Sequence, residues 1–179
     1  MKKIMLCIAL VFTVISMSGC SVINYMLADT GSVQTETESY TYEGVTLDLP
    51  VGFEITRQDD GGLIAHRLEQ PDINETLTMI KVDESTEPLS QDEITSSVMG
   101  LYAQIADSIS EMRDFTEYEI DGCTAQTFKF DCEAEGVMTK YIQNLIYFDD
   151  KLVMVALGST TDKSFSEMEI ANNTIRVEQ

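Results

Sequence analysis

One short run of the chain, residues 152–157 (LVMVAL), is apolar at every position. A continuous apolar run of this length is typical of a strand that is buried on both faces. Such a strand lies in the interior of a sheet, and each face of that sheet needs a covering layer. We therefore predict a central strand here, with helices on both sides of its sheet.

Other apolar segments alternate with turn signals along most of the chain. Pro50 ends one alternating segment, and Asp59-Asp60-Gly61-Gly62 supplies residues suited to positive φ. Hairpin turns are expected at residues 133–136 and 149–150. We predict strands over residues 45–49, 54–57, 63–69, 76–83, 115–120, 123–132, 138–148 and 152–157.

The strongest helix signal begins near Ser90. Ser90 and Glu93 have the spacing of a capping box, and Leu89 and Ile94 that of a hydrophobic staple. Apolar residues then recur at steps of three or four, which predicts one helix over residues 90–112 that packs on the sheet. The apolar stripe consists of Ile94, Val98, Leu101, Ile105, Ile109 and Met112.

A shorter helix is expected near the end of the chain. Asp162 is the predicted N-terminal cap, and Phe165, Met168 and Ala171 have the spacing of an inward face. The chain is thus a series of strands, a long helix, more strands and a short helix.

Three stretches of the chain resemble the PsbP-like superfamily. They are residues 42–53 (YEGVTLDLPVGF), 120–130 (IDGCTAQTFKF) and 150–157 (DKLVMVAL), the last followed by a helix and by Asn173-Thr174-Ile175. The resemblance implies an α+β fold, an antiparallel β-sheet flanked by helices in an α/β/α sandwich, over residues 41–179. It implies no common chemistry.

The N-terminus has the features of a secretory signal. Lys2 and Lys3 precede a 14-residue uncharged run, which is too short to span a bilayer. The sequence Met17-Ser18-Gly19-Cys20 that follows resembles the bacterial lipobox. The alternative is an ordinary secretory signal that ends at a chance cysteine.

The lipobox resemblance implies how the mature chain would be anchored. Residues 1–19 would be a lipoprotein signal peptide, and Cys20 would carry a thioether-linked diacylglycerol and often an acyl chain, such as palmitate, on its amino group. Residues 20–40 would form the lipidated N-terminus and a flexible tether. The expected location is the extracytoplasmic face of the cell membrane, or an outer membrane where the source has one.

The charge of the mature chain excludes one class of partner. Without Lys2 and Lys3, 9 of the 11 basic residues remain against 31 acidic ones, a formal charge of −22. Nucleic-acid binding requires clustered Lys and Arg against phosphate, so no nucleic-acid partner is expected.

No residue pattern predicts catalysis, a cofactor or a metal site. His66 is the single histidine, and we interpret it as a surface or half-buried strand residue. The acidic pairs Asp59-Asp60, Asp92-Glu93 and Asp149-Asp150 fall in predicted turns or at a helix start, where Asp has a local structural use. We therefore expect a protein that is not an enzyme.

Two cysteines, Cys123 and Cys132, would remain in the mature domain beside Cys20. An exported pair can form a disulfide. Both, however, lie in one predicted strand, which would separate them by roughly 30 Å at about 3.3 Å per residue, whereas a disulfide needs Cα atoms within about 7 Å. Two buried free thiols are the favoured interpretation, and the disulfide is the alternative.

Two functional hypotheses follow. The first is a membrane-anchored extracytoplasmic lipoprotein that acts as a non-catalytic interaction module for another envelope protein. The alternative is a small-ligand-binding or cation-binding lipoprotein accessory to transport. An exposed apolar surface would favour the first, and a deep pocket with convergent polar groups would favour the second.

Overall fold

A computed structural model gives the structure of residues 36–70, 73–83, 87–104 and 106–178. The predicted signal peptide (1–19), Cys20 and the tether as far as residue 35 lie outside the described residues. The tether was expected to extend to residue 40, but strand β1 begins at Thr37. Residues 37–40, which were assigned to the tether, therefore belong to a strand of the domain.

The centre of the fold is one eight-stranded antiparallel sheet. Its strand order is β3-β4-β5-β10-β9-β8, and β6 and β7 pair with different parts of the outer edge of β8. These strands are β3 (Glu54–Asp59), β4 (Gly62–Gln70), β5 (Ile73–Val82), β6 (Ser108–Ile109), β7 (Arg113–Ile120), β8 (Cys123–Ala134), β9 (Val137–Tyr147) and β10 (Leu152–Ser159).

The LVMVAL run lies in the middle of this sheet, as predicted. It forms most of β10, which pairs with β5 on one side and β9 on the other. Every residue of β10 is buried. Val153, Val155 and Leu157 face one hydrophobic core, and Leu152 and Met154 face the other. The requirement for cover on both faces is therefore met.

Tight hairpins join several neighbouring strands. The two-residue connections Glu43-Gly44, Asp121-Gly122 and Glu135-Gly136 all have positive φ at both positions. This is the geometry of a type I′ turn, whose twist matches that of antiparallel strands, and glycine at the second position adopts it without steric cost.

One face of the large sheet is covered by a small sheet and a helix. The small sheet has the order β1-β2-β11, with β1 at Thr37–Tyr42, β2 at Val45–Pro50 and β11 at Arg176–Val177. Helix α2 (Asp162–Asn172) lies beside it and buries Met168 and Ala171, while Phe165 is partly buried against the same core. Its N-cap is Thr161, whose hydroxyl accepts from the Ser164 amide, and not Asp162 as predicted.

The opposite face is covered by a short helical segment and the loop after it. Segment α1 consists of an α-helical turn, Gln91–Ile94, a π-helical turn, Thr95–Met99, and a last α-helical turn, Gly100–Tyr102. The capping box of Ser90 and Glu93 is present. Tyr102 packs edge-on against Phe130 with ring centroids 4.6 Å apart.

The prediction of one continuous helix over residues 90–112 is wrong. The helical segment ends at Tyr102, and residues 108–109 instead form β6 on the edge of β8. Backbone hydrogen bonds from Asp107 and Ser110 to β8 flank this pairing. Ile94 and Ile109 still face the same core, whereas the side chains of Val98, Leu101 and Ile105 lie outside the described residues.

The expected α/β/α sandwich is therefore only partly realised. The sheet is antiparallel and covered on both faces, but one cover is a mixed layer of a three-stranded sheet and α2. The mixed layer forms because the first two strands, β1 and β2, and the last one, β11, bury apolar residues against the large sheet. These residues include Leu47, Leu49 and Val177.

Cys123 and Cys132 are both buried free thiols on β8. They lie on opposite faces of the large sheet, each in a different core. Burial raises the pKa of the Cys132 thiol to about 11, which disfavours the reactive thiolate.

Candidate functional site

A groove of about 720 Å³ lies between β1 and β3. β1 is an edge strand of the small sheet, and β3 is an edge strand of the large one. The groove therefore runs between the margins of two sheets. Its lining consists of Glu38, Ser39, Tyr40, Thr41, Phe53, Ile55, Gln58 and Leu63.

Two tyrosine hydroxyls hold β1 against the two ends of β3. The Tyr40 hydroxyl donates to the carbonyl of Phe53, just before β3, at 3.0 Å. The Tyr42 hydroxyl donates to the carbonyl of Asp60, just after β3, at 3.2 Å. Burial raises the pKa of Tyr40 to about 12, so its hydroxyl keeps the proton that this bond requires. The groove is thus fixed in width at both ends.

A β-bulge in β3 directs two side chains into the groove. Ile55 is opposite Ala65 and Gln58 is opposite Leu63, with a register shift between Ile55 and Arg57. Because the bulge inserts an extra residue, Ile55 and Gln58 lie on the same face although they are three residues apart. Ile55 is 50% exposed, so its side chain is available for contact from solvent.

The wall of the groove rests on a buried ion cluster. The Arg67 guanidinium lies 5.4 Å from the centre of the Phe53 ring. It forms a bidentate ion pair with Glu75 of β5 and bonds Glu167 of α2 at 2.7 Å. Cation–π stacking on an aromatic ring adds to such a cluster. Phe53 is therefore held in place from behind by charged groups of two other elements.

The residues that the sequence singled out do not come together. His66 is half-buried on β4, as interpreted, and burial lowers its pKa. The three acidic pairs lie in the β3–β4 turn, in the first turn of α1 and in the β9–β10 turn. Within the described ranges there is no group of three or more His, Cys, Asp or Glu side chains that could hold a metal ion.

The groove was not predicted from the sequence. It forms between strands that belong to different sheets, and no local pattern encodes that packing. The only usable signal is Tyr40 and Tyr42 at alternate positions, which indicates an inward face of β1 with two hydroxyls to satisfy. Among the residues described, no helix is long and apolar enough to cross a membrane.

Comparison with known proteins shows the fold. The sequence matches no protein-family model, and no curated protein matches it. A similar solved structure is the cyanobacterial PsbP protein CyanoP from Synechocystis sp. PCC 6803, with TM-score 0.56 and 16% identity over 85% of this chain and 99% of that one.

Two further structures are similar over most of their length. One is PA94, a protein of unknown function from Pseudomonas aeruginosa, with TM-score 0.50 and 15% identity over 76% of this chain and 91% of that one. The other is LpqN, involved in cell envelope biogenesis of Mycobacterium tuberculosis, with TM-score 0.48 and 12% identity over 80% and 91%. At 16% identity, the similarity to CyanoP shows that the fold is PsbP-like. It does not extend to chemistry.

Proposed function

We propose that this chain is an extracytoplasmic lipoprotein, anchored through Cys20, whose domain is a non-catalytic protein-interaction module of the cell envelope. The observation that carries the proposal is the β1–β3 groove. An envelope protein would place an extended segment in it. The lipobox-like sequence at residues 17–20 supports the anchor and the location.

The shape of the groove suits an extended chain segment better than a compact ligand. It is open to solvent and lies between two edge strands, whose outer edges are unpaired among the described residues. Proteins commonly bind peptides by adding a strand to such an edge, with side-chain pockets that give specificity. Ile55, Phe53 and Leu63 offer the apolar contacts for alternate side chains of the segment.

The charge of the groove indicates the polarity of its partner. Glu38 lines one side, and the whole chain has a formal charge of −20. Complementary charge speeds association and suppresses wrong partners. The segment is therefore expected to carry Lys or Arg beside its apolar residues.

The bulge and the charged residues of β3 disfavour strand pairing with other chains. They also restrict which extended segments the groove can bind. In β3, the bulge and the charged residues Glu54, Arg57 and Asp59 disfavour edge-to-edge association of copies of this chain. A partner must match the bulged geometry, so the groove discriminates among extended segments.

Site-specific photocrosslinking in intact cells tests the proposal. A photoreactive phenylalanine analogue is placed at Ile55 in the groove or, as a control, at Ile170 on the outer face of α2. The two positions are matched, because Ile55 is 50% exposed and Ile170 is 69% exposed. We expect a discrete protein adduct from position 55 and none from position 170.

A second substitution ties the adduct to the groove. With the crosslinker at Gln58, the Ile55→Lys variant should reduce the adduct yield at least several-fold, since it places a charge on the apolar contact. Equal adducts from positions 55 and 170, or an adduct at position 58 that is insensitive to Ile55→Lys, would contradict the proposal.

A further inference from the structure

The backbone of β1 alternates between residues that bond β2 and residues whose polar groups face outward. In an antiparallel pair, every second residue exchanges N–H and C=O bonds with its partner, and the residues between direct theirs to the other side. Two hydrogen bonds fix this alternation. The Val51 amide donates to the Glu36 carbonyl at 3.0 Å. The Asp48 amide, opposite Ser39, instead donates away from β1 to Thr174 Oγ1 at 2.8 Å. The even-numbered residues of β1 therefore bond β2.

Ser39 and Thr41 consequently present their backbone N–H and C=O groups to the β1–β3 groove. Both residues line it, and no described strand pairs with this edge of β1. Their hydroxyls are used elsewhere, since Ser39 bonds Asp48 and Thr41 bonds Thr46 within the small sheet. These two residues therefore offer the groove backbone donors and acceptors at the spacing of a strand.

β1 lacks the features that usually protect an edge strand from pairing. Its register with β2 runs through six consecutive residues without a bulge, and it contains no proline and no lysine. Protein edge strands commonly carry one of these devices. β3, on the opposite side of the groove, has a bulge and three charged residues. Of the two strands beside the groove, β1 is therefore the one suited to receive a further strand.

Glu38 supplies a carboxylate to the groove and has no cation beside it. It accepts from the Tyr40 hydroxyl at 3.2 Å and forms no ion pair with any Lys or Arg of the described residues. In contrast, Asp48 on β2 is paired with Arg176 at 3.0 Å. A basic side chain opposite Glu38 would thus gain a charge-assisted hydrogen bond to a carboxylate that no other cation occupies.

We propose that the extended segment of the proposed function, on which this inference rests, pairs with the free edge of β1 and places a Lys or Arg against Glu38. Its backbone would exchange hydrogen bonds with Ser39 and Thr41. Glu38 is then the residue that sets the charge preference of the groove, and β3 contributes its opposite wall.

This register predicts a sequence pattern in the bound segment. Residues opposite each other in paired strands lie on the same face, so those opposite Glu38, Tyr40 and Tyr42 all point into the groove. An apolar side chain at one of the two tyrosine positions would contact Phe53 or Ile55. The segment should therefore carry a basic and an apolar residue two or four positions apart.

The chain itself offers no such segment beside the groove. Glu38 is the only charged residue of β1, so pairing of two β1 strands from two copies would bring it no cation. Residues 22–27 (VINYML) of the tether also lack a basic residue. Charge complementarity therefore favours a segment of a different protein.

Panning of a random decapeptide phage library on the detergent-solubilised full chain tests the predicted pattern. We expect enriched peptides to carry Lys or Arg and an apolar residue at a spacing of two or four. Glu38→Lys should reverse the preference to Asp or Glu at the same position. Glu119→Lys is the matched control, because it makes the same charge change at an exposed position on β7, and it should leave the selection unchanged.

The most enriched peptide, once synthesised, tests the backbone pairing. Ser39→Pro removes an outward N–H without removing a bond to β2, and an edge strand tolerates proline at such a position. It should weaken binding by about tenfold, the effect of one hydrogen bond. Ser39→Ala removes only the hydroxyl and should bind normally. Thermal unfolding checks that both variants fold; if Ser39→Pro does not, the charge reversal at Glu38 decides.

Several outcomes would overturn this assignment of the edge and the charge. They are an odd spacing, a selection that Glu38→Lys leaves unchanged, equal binding by Ser39→Pro and Ser39→Ala, and the absence of any enriched peptide. Enrichment of peptides that resemble VINYML and lack a basic residue would also overturn it and identify the tether as the occupant. The proposed function is judged separately, because the adduct at position 55 in intact cells requires neither pairing with β1 nor a basic residue.

Discussion

Arg67 and Glu75 form the most deeply buried ion pair in the described part of the chain. Their side chains are 8% and 0% exposed, and they face each other across β4 and β5. Glu167 of α2 completes the cluster and remains partly exposed. Arg67 therefore joins two strands of the sheet to the helix that covers them.

Removing one partner of this ion pair should lower the free energy of unfolding by much more than the intact pair contributes to it. Arg67→Met would leave the Glu75 carboxylate buried without its cation, and we expect a loss of about 3–5 kcal/mol in the free energy of unfolding. The double variant Arg67→Met/Glu75→Met should recover most of that loss, because the remaining carboxylate of Glu167 can turn to solvent. Urea denaturation of the three proteins measures both effects.

The outcome that would contradict this interpretation is a single variant as stable as the wild type. A double variant no better than the single one would show that Glu75 is stabilised by other groups. Either result would also weaken the view that Phe53, stacked on Arg67, is held from behind.

The sequence could not identify two buried polar residues that link the sheet to α2: Arg67, and Asn144, whose Nδ2 donates to Asn172 Oδ1 at 2.7 Å. A charged residue in a strand is ordinarily a surface residue, and an asparagine in an apolar strand is an isolated exception. What makes them notable is their partners, Glu167 and Asn172, which lie 100 and 28 residues away along the chain. The free thiols could be predicted because both cysteines lie in one strand, and the extended length of a strand is a local property.

At the scale of elements, apolar periodicity identified buried positions more reliably than it identified backbone conformation. Ile94 and Ile109 both reach the core that the stripe predicted, but one is helical and the other is in a strand. The intervening segment contains Thr95, Ser96 and Ser97, whose hydroxyls bond backbone carbonyls of the preceding turn. Such bonds compete with regular helix, and the open edge of β8 offers an alternative set of partners.

Two of the glycines at element boundaries, Gly136 and Gly100, should respond oppositely to alanine. Gly136 has φ +77° in the β8–β9 turn, and Gly100 begins the last turn of α1 without positive φ; neither meets a described atom at the Cβ position. Gly136→Ala should cost about 1–2 kcal/mol because L-residues disfavour that conformation. Gly100→Ala should stabilise by about 0.5–1 kcal/mol through lower unfolded-state entropy.

Thermal unfolding of the two variants under one condition checks this prediction. Since neither added methyl group meets a neighbour, the comparison isolates backbone conformation from packing. A destabilised Gly100→Ala variant would show that the π-helical turn before it depends on glycine.

At the scale of the whole molecule, the sequence predicted the central strand and the antiparallel sheet but not the layer on one face. The interior position of β10 followed from an apolar run that is typical of a strand buried on both faces. The mixed layer of β1, β2, β11 and α2 joins residues from both ends of the domain, as in the 2.8 Å hydrogen bond that the Asp48 amide donates to Thr174 Oγ1. The groove is a product of that layer, so it could not be predicted either.

The anchor remains a prediction with a direct test. Cys20→Ser should move the protein from the membrane fraction to the soluble one, because two or more acyl chains hold a protein firmly and none remain in the variant. Mass spectrometry of the wild type should find diacylglycerol on Cys20. A mature chain that begins, unmodified, at another residue would contradict it.

The attachment of β1 to the rest of the domain has a mechanical consequence. β1 is held by six register pairs with β2 and by the hydroxyls of Tyr40 and Tyr42. Tension on the chain ahead of Thr37 enters the domain through this strand. A pull along its axis loads all of these bonds together, whereas a sideways pull breaks them one after another from Thr37. Forced unfolding is governed by the unfolding rate. Because bonds that are loaded together break more slowly than bonds that are loaded one at a time, the domain resists tension more strongly along β1 than across it.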